Sequence, residues 1–427
     1  MKATKFRWVI VVLLFVITVI NYIDRSAISY AVPKIKDAFG LGEGQIGMIL
    51  GAFGIGYMIM TFFGGILADR FGARIILFLL SLLWAVSIGL AGLAIGFTMI
   101  YLMRILLGIA EGPNFPSMNR AIGDWLSKDE RAIALSNSLV SVPIALAIGG
   151  PIVTGLIALT GWRWMFLILA FAGLAWAPLW FIFFRDKPKQ SSFTNEAEIE
   201  HIYKGIDEKD RDPHHSSVSG KKLWKFLLTN PTLLANDWAF FVFGYYLFFF
   251  MTWLPSYLHK VYGMKLTSVG LFSVIPWVLA AIFLYALGYI SDAILKKTGS
   301  FRKSRSHPIW ITQLLAAICT LPVIFTQSEA AALIFISLAV AFGMGSNSTF
   351  YAINVDVARE RSGTALGVMD TFFAIAGFVA PTITGWIVGA TGHFTNAFWL
   401  LALLSLSSVL AVLFFHHPDR SKKLSEL

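Results

Sequence analysis

Two pairs of oppositely charged side chains lie within long apolar stretches of the sequence. Asp24 and Arg25 are neighbours in the first stretch, and Arg104 and Glu111 stand seven residues apart in the fourth. A charge at the centre of a bilayer costs roughly 3 kcal/mol on insertion scales, so such residues usually have a function. A guanidinium stays protonated and can bind a carboxylate through two parallel hydrogen bonds, whereas a buried carboxyl can take up and release a proton. These residue types therefore predict anion binding coupled to proton exchange.

The spacing of these residues favours one shared cavity. Asn21 and Arg25 are four residues apart and lie on one face of a helix, whereas Asp24 points about 100° away. Arg104 and Glu111 are two turns, or about 10 Å, apart on one face, which is too far for direct pairing. Each can therefore meet a group on another helix or on a substrate. The alternative interpretation is a structural salt-bridge network that only joins the two helices.

The elements that carry these residues are apolar stretches long enough to cross a bilayer, which takes about 20 residues. Apolar residues make up 57% of the 427-residue chain, and charged residues only 14%. The stretches do not alternate in polarity, which argues against a β-barrel. The first has no small-residue cleavage site after it, so we interpret it as a retained span rather than a signal peptide. We expect an all-α polytopic membrane protein with twelve transmembrane helices, spans 1 to 12: 8–30, 45–68, 74–95, 98–118, 132–158, 164–184, 232–258, 266–291, 308–327, 330–352, 363–388 and 395–415.

Several chemistries are excluded by what the sequence lacks. A single cysteine, Cys319, permits neither an internal disulfide nor a cysteine-based metal cluster. The sequence contains no Gly-rich Lys-Ser/Thr loop for ATP and no His-Glu-x-x-His zinc motif. We therefore expect no metal and no organic cofactor, and we take the proton as the coupling ion.

The basic residues predict the orientation in the membrane. When loops are assigned alternately to the two sides, 27 of the 34 Lys and Arg residues fall on the side of the termini and five on the other. Because cytoplasmic loops carry the excess of Lys and Arg, both termini are expected in the cytoplasm. The net charge of +10 is thereby explained without a nucleic-acid partner. The compact loops and short tails suggest a bacterial inner membrane.

The chain divides into two halves that resemble each other. A polar central loop over 185–231 separates an N-terminal six-helix bundle over 1–184 from a C-terminal bundle and tail over 232–427, and 196–204 is expected to form a short surface helix. Gly65-Ile-Leu-Ala-Asp69 is echoed by Gly288-Tyr-Ile-Ser-Asp292, and Pro151-Ile-Val-Thr-Gly155 by Pro381-Thr-Ile-Thr-Gly385. Such internal repeats place a binding site near the midplane, between the halves.

The loop between spans 2 and 3 carries a family resemblance. Gly65-Ile-Leu-Ala-Asp69-Arg70-Phe-Gly72-Ala-Arg74 resembles the signature loop of the major facilitator superfamily, and the resemblance extends over nearly the whole chain. It implies a twelve-helix facilitator fold in which this loop latches one conformation of a rocking cycle. The implied gating residues are Gly65, Asp69, Arg70, Gly72 and Arg74. The alternative is a positively charged turn without a gating role.

Three further stretches resemble the anion:cation symporter family within that superfamily. They are Asn21-Tyr22-Ile-Asp24-Arg25 in span 1, Arg104-Ile-Leu-Leu-Gly-Ile-Ala-Glu111-Gly-Pro-Asn-Phe-Pro116 in span 4, and Phe250-Met-Thr-Trp253-Leu-Pro-Ser-Tyr257-Leu258 in span 7. That family includes bacterial transporters of hexuronate, galactonate, glucarate and phthalate, together with sialin and the vesicular glutamate transporters. The resemblance implies uptake of a small organic anion with protons by alternating access. We expect the protein to work as a monomer.

The resemblance and the charges together suggest a role for each candidate residue. Arg25 is expected to hold the carboxylate of the substrate. Burial favours the protonated form of a carboxyl and a nearby arginine favours the ionised form, so occupation of an arginine by substrate would couple to protonation. The expected proton carriers are Asp24, Glu111 and Asp370. The expected substrate contacts besides Arg25 are Tyr22, Tyr57, Arg104, Asn21, Tyr245, Tyr246 and Trp253.

The sequence departs from the family pattern at three places. Asp370 in span 11 occupies a position where relatives often have Asn, and it adds a further ionisable group to the four charged residues described above. Span 5 reads Ser141-Val-Pro143 where sugar-acid relatives tend to have Gln, and Tyr245 and Tyr246 stand where they have small hydroxyl residues. A sugar acid is the leading substrate class, with an aromatic or less hydroxylated acid as the alternative. Export, a transporter-like sensor and a polytopic membrane enzyme are the remaining alternatives.

Overall fold

The computed structural model describes residues 3–204, 220–358 and 361–421, and every regular element in that part of the chain is helical. Part of the basic surplus, in 205–219, 359–360 and 422–427, lies outside the described residues. The α-helices are α1 Phe6–Phe39, α2 Glu43–Phe71, α3 Ala73–Gly92, α4 Phe97–Glu111, α5 Asn114–Trp125, α6 Lys128–Thr160, α7 Trp162–Phe183, α8 Glu196–Tyr203, α9 Lys221–Thr229, α10 Pro231–Tyr262, α11 Leu266–Phe272, α12 Val274–Thr298, α13 His307–Phe325, α14 Glu329–Gly345, α15 Asn347–Val357, α16 Ser362–Thr391 and α17 Thr395–Phe415. A 3-10 turn over Pro188–Gln190 and a π-helical segment over Arg302–Ser306 complete the set.

Helices long and apolar enough to cross a membrane dominate this structure. Within the described residues there are eleven such segments, and they coincide with eleven of the twelve predicted spans. The predicted all-α polytopic class is therefore confirmed. Span 4 is divided into α4 and α5, which are separated by Gly112 and Pro113. Pro113 and Pro116 have no N–H group to donate, and so the backbone hydrogen-bond pattern cannot run unbroken through this stretch.

Packing groups the chain into two units, and each is described by itself. The first comprises residues 1–39 and 55–215, and the second comprises 40–54 and 216–427. In the first unit α1 packs against α6, and α3 packs against both α4 and α7. In the second unit α10 packs against α16, α12 against α14, and α13 against α17.

Helix α8 anchors the beginning of α1. The helix forms where a surface helix was expected, but its Glu198 side chain is fully buried. The Glu198 carboxylate accepts hydrogen bonds from the backbone N–H groups of Phe6 at 3.2 Å and Arg7 at 3.0 Å, and from the Arg7 guanidinium at 3.1 Å. A carboxylate is favourable at a helix N-terminus, where unpaired N–H groups leave a partial positive charge.

Gly56 in α2 and Gly112 directly after α4 allow the backbones of α2 and α4 to approach each other closely. A Cβ atom added at Gly56 would lie 2.1 Å from the carbonyl oxygen of Ile105, and one added at Gly112 would lie 2.8 Å from the backbone of Met60. A side chain at either position would force the helices apart. This close approach sets the position of Tyr57 within the first unit.

The first residues of α2 belong to the second unit and pack against α16 in the same way. A Cβ atom at Gly47 would lie 2.8 Å from the carbonyl oxygen of Pro381, and one at Gly54 would lie 2.3 Å from the backbone nitrogen of Phe378. Here again the contact is between backbones, so it cannot be relieved by rotation of a side chain.

We expect Gly54→Ala to lower the melting temperature of the purified protein, whereas Gly65→Ala on the same helix leaves it unchanged or raises it. Both changes gain roughly 0.5–1 kcal/mol of helix propensity. Only at position 54 does the new methyl group meet backbone, and overpacking costs about 1–3 kcal/mol. Nothing in the described residues lies within 4 Å of a Cβ atom at Gly65. Equal melting temperatures for the two variants in one detergent would contradict the packing described.

Candidate functional site

The centre of the first unit is a buried ion pair between α1 and the last residue of α4. Arg25 and Glu111 are both fully buried. The Nε and Nη2 atoms of Arg25 donate to the same carboxylate oxygen, Oε2 of Glu111, at 3.2 and 3.1 Å. The Nη2 atom also donates to Oδ1 of Asn21 at 3.0 Å. A carboxylate at a helix C-terminus is unfavourable because the last carbonyls leave a partial negative charge there, so Arg25 compensates for the position of Glu111.

Two tyrosine rings lie against the guanidinium of Arg25. Its Cζ atom is 4.4 Å from the centre of the Tyr22 ring and 4.7 Å from the centre of the Tyr57 ring. A cation near the face of an aromatic ring is stabilised, more strongly where water is absent. The rings fix the plane of the guanidinium, and with it the direction in which a carboxylate can approach. Asn21, Tyr22, Arg25 and Tyr57 are thus brought together as a group.

Asp24 is a buried carboxyl without a hydrogen-bond partner in the described part of the chain. Its exposed fraction is 1%, and neither carboxyl oxygen receives a hydrogen bond. It interacts electrostatically with Glu111. Burying an ionised carboxylate without partners is costly, and a second negative charge nearby adds to the cost. Asp24 therefore lies where a proton is readily accommodated.

Arg104 belongs to the same charge cluster. It is buried on α4 and interacts electrostatically with both Glu111 and Arg25. We call the four residues Asp24, Arg25, Arg104 and Glu111 the buried charge cluster. When Asp24 is protonated, the cluster has one net positive charge, which favours the entry of an anion.

Asn114 is a buried polar residue that follows the cluster residue Glu111 in the chain and was not among the candidates from the sequence. It is the first residue of α5, three positions after Glu111, and it is buried. Neither its amide nitrogen nor its amide oxygen has a hydrogen-bond partner in the part of the chain that the structure describes. An amide needs partners when it is buried, and so Asn114 is suited to contact a bound molecule or water. The sequence indicated Asn114 as a candidate through its position in the span 4 motif, directly after Gly112-Pro113, where the helix breaks.

The aromatic candidates in the second unit are buried on α10. The hydroxyl of Tyr246 is 3.2 Å from Oγ1 of Thr320, and the indole N–H of Trp253 donates to the carbonyl oxygen of Pro381 at 3.1 Å. The side chain of Tyr245 packs near the ring of Phe241. The polar groups of Tyr246 and Trp253 thus have partners within their own unit.

Asp370, which is partly buried, interacts with an acid that was not among the candidates from the sequence. The carboxyl of Asp237 on α10 is 2% exposed and interacts electrostatically with that of Asp370 on α16. The hydroxyl of Tyr351 donates to Oδ1 of Asp370 at 3.5 Å. The signal for Asp237 was in the sequence, since it falls within predicted span 7.

The residues of the signature loop are tied to α5 and α7. Asp69 forms a salt bridge with Arg120 at 2.8 Å, and Arg120 also binds Asp124 at 2.8 Å. Burial raises the pKa of Asp124 above its ordinary value, although the Arg120 guanidinium works in the opposite direction. These contacts join the end of α2 to α5.

Gly72 and Arg74 complete the loop. Gly72 has a φ of +81°, a backbone conformation that side chains disfavour. A Cβ atom at this position would also lie 2.6 Å from the carboxylate of Asp186. Both the conformation and the lack of space require glycine here. The backbone N–H of Arg74 donates to Asp186 at 3.0 Å, and its guanidinium donates to the carbonyl oxygen of Phe181 at 2.8 Å. The side chain of Arg70 lies 5.3 Å from the ring centre of Phe71. A gating role for these residues remains a prediction.

Comparison with known proteins identifies the family. The model of the Major Facilitator Superfamily matches residues 14–381 and 298–427. The chain belongs to the major facilitator superfamily. This facilitator has the same fold as the crystal structure of the D-xylose-proton symporter, with a TM-score of 0.75 at 16% sequence identity. The match covers 98% of this facilitator and 100% of the symporter chain.

Relatives in bacteria agree with the resemblance to the anion:cation symporters. This facilitator is 34% identical over 419 residues to the hexuronate transporter of Bacillus subtilis, covering 97% of the chain and 96% of the relative. It is 32% identical over 413 residues to the probable sulfoacetate transporter SauU of Cupriavidus necator, covering 96% and 94%. The predicted family is confirmed, and this facilitator is a multi-pass secondary transporter rather than an enzyme.

We expect Asp237→Asn and Asp370→Asn each to raise the melting temperature at neutral pH, and the double variant to gain less than the sum. Two interacting carboxyls within apolar helices, one of them buried, cannot both ionise cheaply, so removal of either charge relieves the repulsion. Coupling between neighbouring residues is about 0.5–3 kcal/mol in such cycles. Strictly additive shifts, measured in one detergent and buffer, would show that the two carboxyls are independent.

Proposed function

We propose that this transporter takes up a small organic anion together with protons by alternating access, with both termini in the cytoplasm of a bacterial inner membrane. The observation that carries the proposal is the Arg25–Glu111 pair, in which two guanidinium nitrogens share a single carboxylate oxygen. It supports exchange of partners at Arg25, because a substrate carboxylate offers two oxygens in the geometry that a guanidinium prefers. Further support comes from the names of the relatives, which denote transporters of small carboxylate or sulfonate anions.

The proposed coupling follows from the cost of an unpaired buried charge. Breaking one partner out of a buried ion pair costs about 3–5 kcal/mol. When a substrate carboxylate takes the place of Glu111 at Arg25, the Glu111 carboxylate loses its main partner. Protonation of Glu111 then removes its unpaired negative charge. Two states are thus favoured: Arg25 paired with ionised Glu111, and Arg25 paired with substrate while Glu111 holds a proton.

Charge balance in this scheme gives an expected stoichiometry. The cluster has the same net charge in both favoured states when one proton enters with one negative charge of substrate. Arg104 stays positively charged in both states. It stabilises the ionised Glu111 in the first state and the substrate anion in the second. Asp24, which lacks hydrogen-bond partners, is a second position for a proton. The Asp237–Asp370 pair is a third, and it belongs to the other unit.

A sugar acid is the leading substrate class, in keeping with the name of the hexuronate transporter. The second candidate is a less hydroxylated anion, and two observations favour it. The hydroxyl of Ser141 donates to the carbonyl oxygen of Ser138, and that of Tyr246 is bonded to Thr320. Both hydroxyls are thus already occupied within their own units, whereas a polyhydroxylated acid requires many partners. The relative named for sulfoacetate is consistent with this second candidate.

We expect Glu111→Gln to abolish accumulation driven by a pH gradient while substrate counterflow persists. The amide can no longer bind the proton, but Arg25 still binds the anion. Proteoliposomes loaded at high pH and diluted into acidic medium with a labelled hexuronate provide the measurement. Glu329→Gln, which removes an exposed carboxylate at the start of α14, is the matched control and should accumulate substrate like the unchanged protein. Unchanged accumulation by Glu111→Gln would remove Glu111 from the coupling.

A thermal-shift screen of carboxylic and sulfonic acids separates the two substrate classes. The stabilising ligand is expected to lose its effect in Arg25→Ala and to keep part of it in Arg25→Lys, which retains the charge but not the paired donors. A hexuronate that stabilises more than sulfoacetate supports the sugar acid, and the reverse order supports the second candidate. A ligand that stabilises Arg25→Ala as well as the unchanged protein would contradict the proposed anion site.

A further inference from the structure

A basic cleft lies at one end of the second unit, apart from every residue discussed above. It has a volume of ≈ 720 Å³ and is enclosed by α9, the beginning of α10 and the end of α17 with the residues that follow it. Its charged lining consists of Lys222, Lys225 and Arg420, with His417 beside them, and contains no carboxylate. None of the three permanent cations forms an ion pair with a carboxylate in residues 3–204, 220–358 and 361–421. The lining of the cleft therefore has a net positive charge, contributed by three closely spaced cations.

The walls of the cleft are held in place by hydrogen bonds. The side chains of Asn230 and Ser421 bond to each other at 3.0 and 3.1 Å. The backbone N–H of His417 donates to Oγ1 of Thr232 at 3.2 Å. The chain after α17 is thus fixed to the start of α10, and Arg420 is carried on a fixed segment.

A nearby acid, Asp419, does not line the cleft. The Asp419 carboxylate accepts hydrogen bonds from the hydroxyl of Ser300 and from the backbone N–H groups of Phe301 and Arg302. Burial opposes its charge, but these hydrogen bonds hold the pKa of Asp419 below its ordinary value. The Asp419 carboxylate is thus bound to residues 300–302, which are not part of the cleft lining.

Helix α9 has the pattern of a helix that lies in the membrane interface. Leu223, Phe226 and Leu227 pack into an apolar cluster with residues of α10, α15 and α16. On another face, Trp224 and Leu228 are four residues apart and are 41% and 53% exposed. An amphipathic helix with Trp and Leu on one face and Lys on another lies at the boundary between headgroups and acyl chains.

Apolar groups continue from the cleft towards the acyl region. Phe226 and Phe415 line it together with the cations, and Phe414 is exposed beside Phe415 at the end of membrane helix α17. A free inorganic anion would gain nothing from these aromatic surfaces, whereas a lipid would contact them with its glycerol and acyl chains. Basic pockets at the cytoplasmic ends of membrane helices suit the phosphate of anionic lipid headgroups.

We propose that this cleft binds an anionic phospholipid, with the headgroup phosphate held by Lys222, Lys225 and Arg420 and the acyl chains along Phe415. The proposal rests on the orientation proposed above, which places the cleft at the cytoplasmic leaflet. It goes beyond transport, because none of the candidate substrate or proton-carrying residues lines the cleft. A bound lipid would fix the beginning of α10 and the end of α17 to each other and to the bilayer.

The test is a titration of the delipidated full-length protein in detergent with phosphatidylglycerol, with phosphatidylcholine in parallel, followed by native mass spectrometry. The triple variant Lys222→Gln/Lys225→Gln/Arg420→Gln should bind phosphatidylglycerol at least about tenfold more weakly than the unchanged protein. The matched control Lys187→Gln/Lys296→Gln/Lys297→Gln removes three exposed cations elsewhere and should bind it as before. Arg420→Gln alone is the second variant, should the triple variant not fold.

Four other outcomes of the lipid titration would overturn the proposal. Equal loss in the control variant would show that overall surface charge attracts the lipid, without a site. Unchanged binding by the triple variant, or by Arg420→Gln where that variant is used, would show that the cleft is not the site. Displacement of the lipid by millimolar inorganic phosphate would identify a site for free anions. Equal binding of phosphatidylcholine would show that the headgroup charge is not recognised. Retained counterflow in the triple variant would separate its failure from failure of the proposed transport.

Discussion

A single buried ion pair constrains the first unit of this transporter. Arg25 on α1 and Glu111 at the end of α4 are both removed from water, and neither charge is tolerable there without the other. Helix α4 ends at Glu111, directly before Gly112-Pro113, and Glu111 there meets Arg25 of α1. The close approach of α2 to α4 at Gly56 and Gly112 places the Tyr57 ring against the same guanidinium. Backbone geometry and electrostatics thus depend on each other at this point.

In the proposed mechanism, the same pair couples the binding of an anion to the binding of a proton. Either one alone would leave the buried charge cluster with a charge that has no partner. Together they would restore the balance that Glu111 gives when Arg25 holds no substrate. No moving part is needed for this coupling itself, since it follows from the cost of burying charge. In that mechanism Asp24 would be a second position for a proton, one that leaves Arg25 undisturbed.

The sequence predicted much of the fold and the centre of the site, for identifiable physical reasons. Long apolar stretches and the scarcity of charge predicted the helices, and four charges within the spans marked the cluster. The break in span 4 was not predicted, although Gly112, Pro113 and Pro116 indicate it. The pairing of Arg25 with Glu111 rather than Asp24 could not be read from spacing, because it depends on how α1 and α4 face each other. The interaction of Asp237 with Asp370 could not be read from spacing either, because the two are 133 residues apart in the chain and lie on different helices.

The most direct measurement of the central claim is the number of protons bound when substrate binds. A stabilising anion is added to the purified transporter in weakly buffered solution near neutral pH, and the pH change is recorded. The account predicts uptake of protons on binding, reduced by about one per site in Glu111→Gln while the anion still binds. Anion binding without proton uptake, or the same uptake in Glu111→Gln, would contradict the exchange of partners at Arg25.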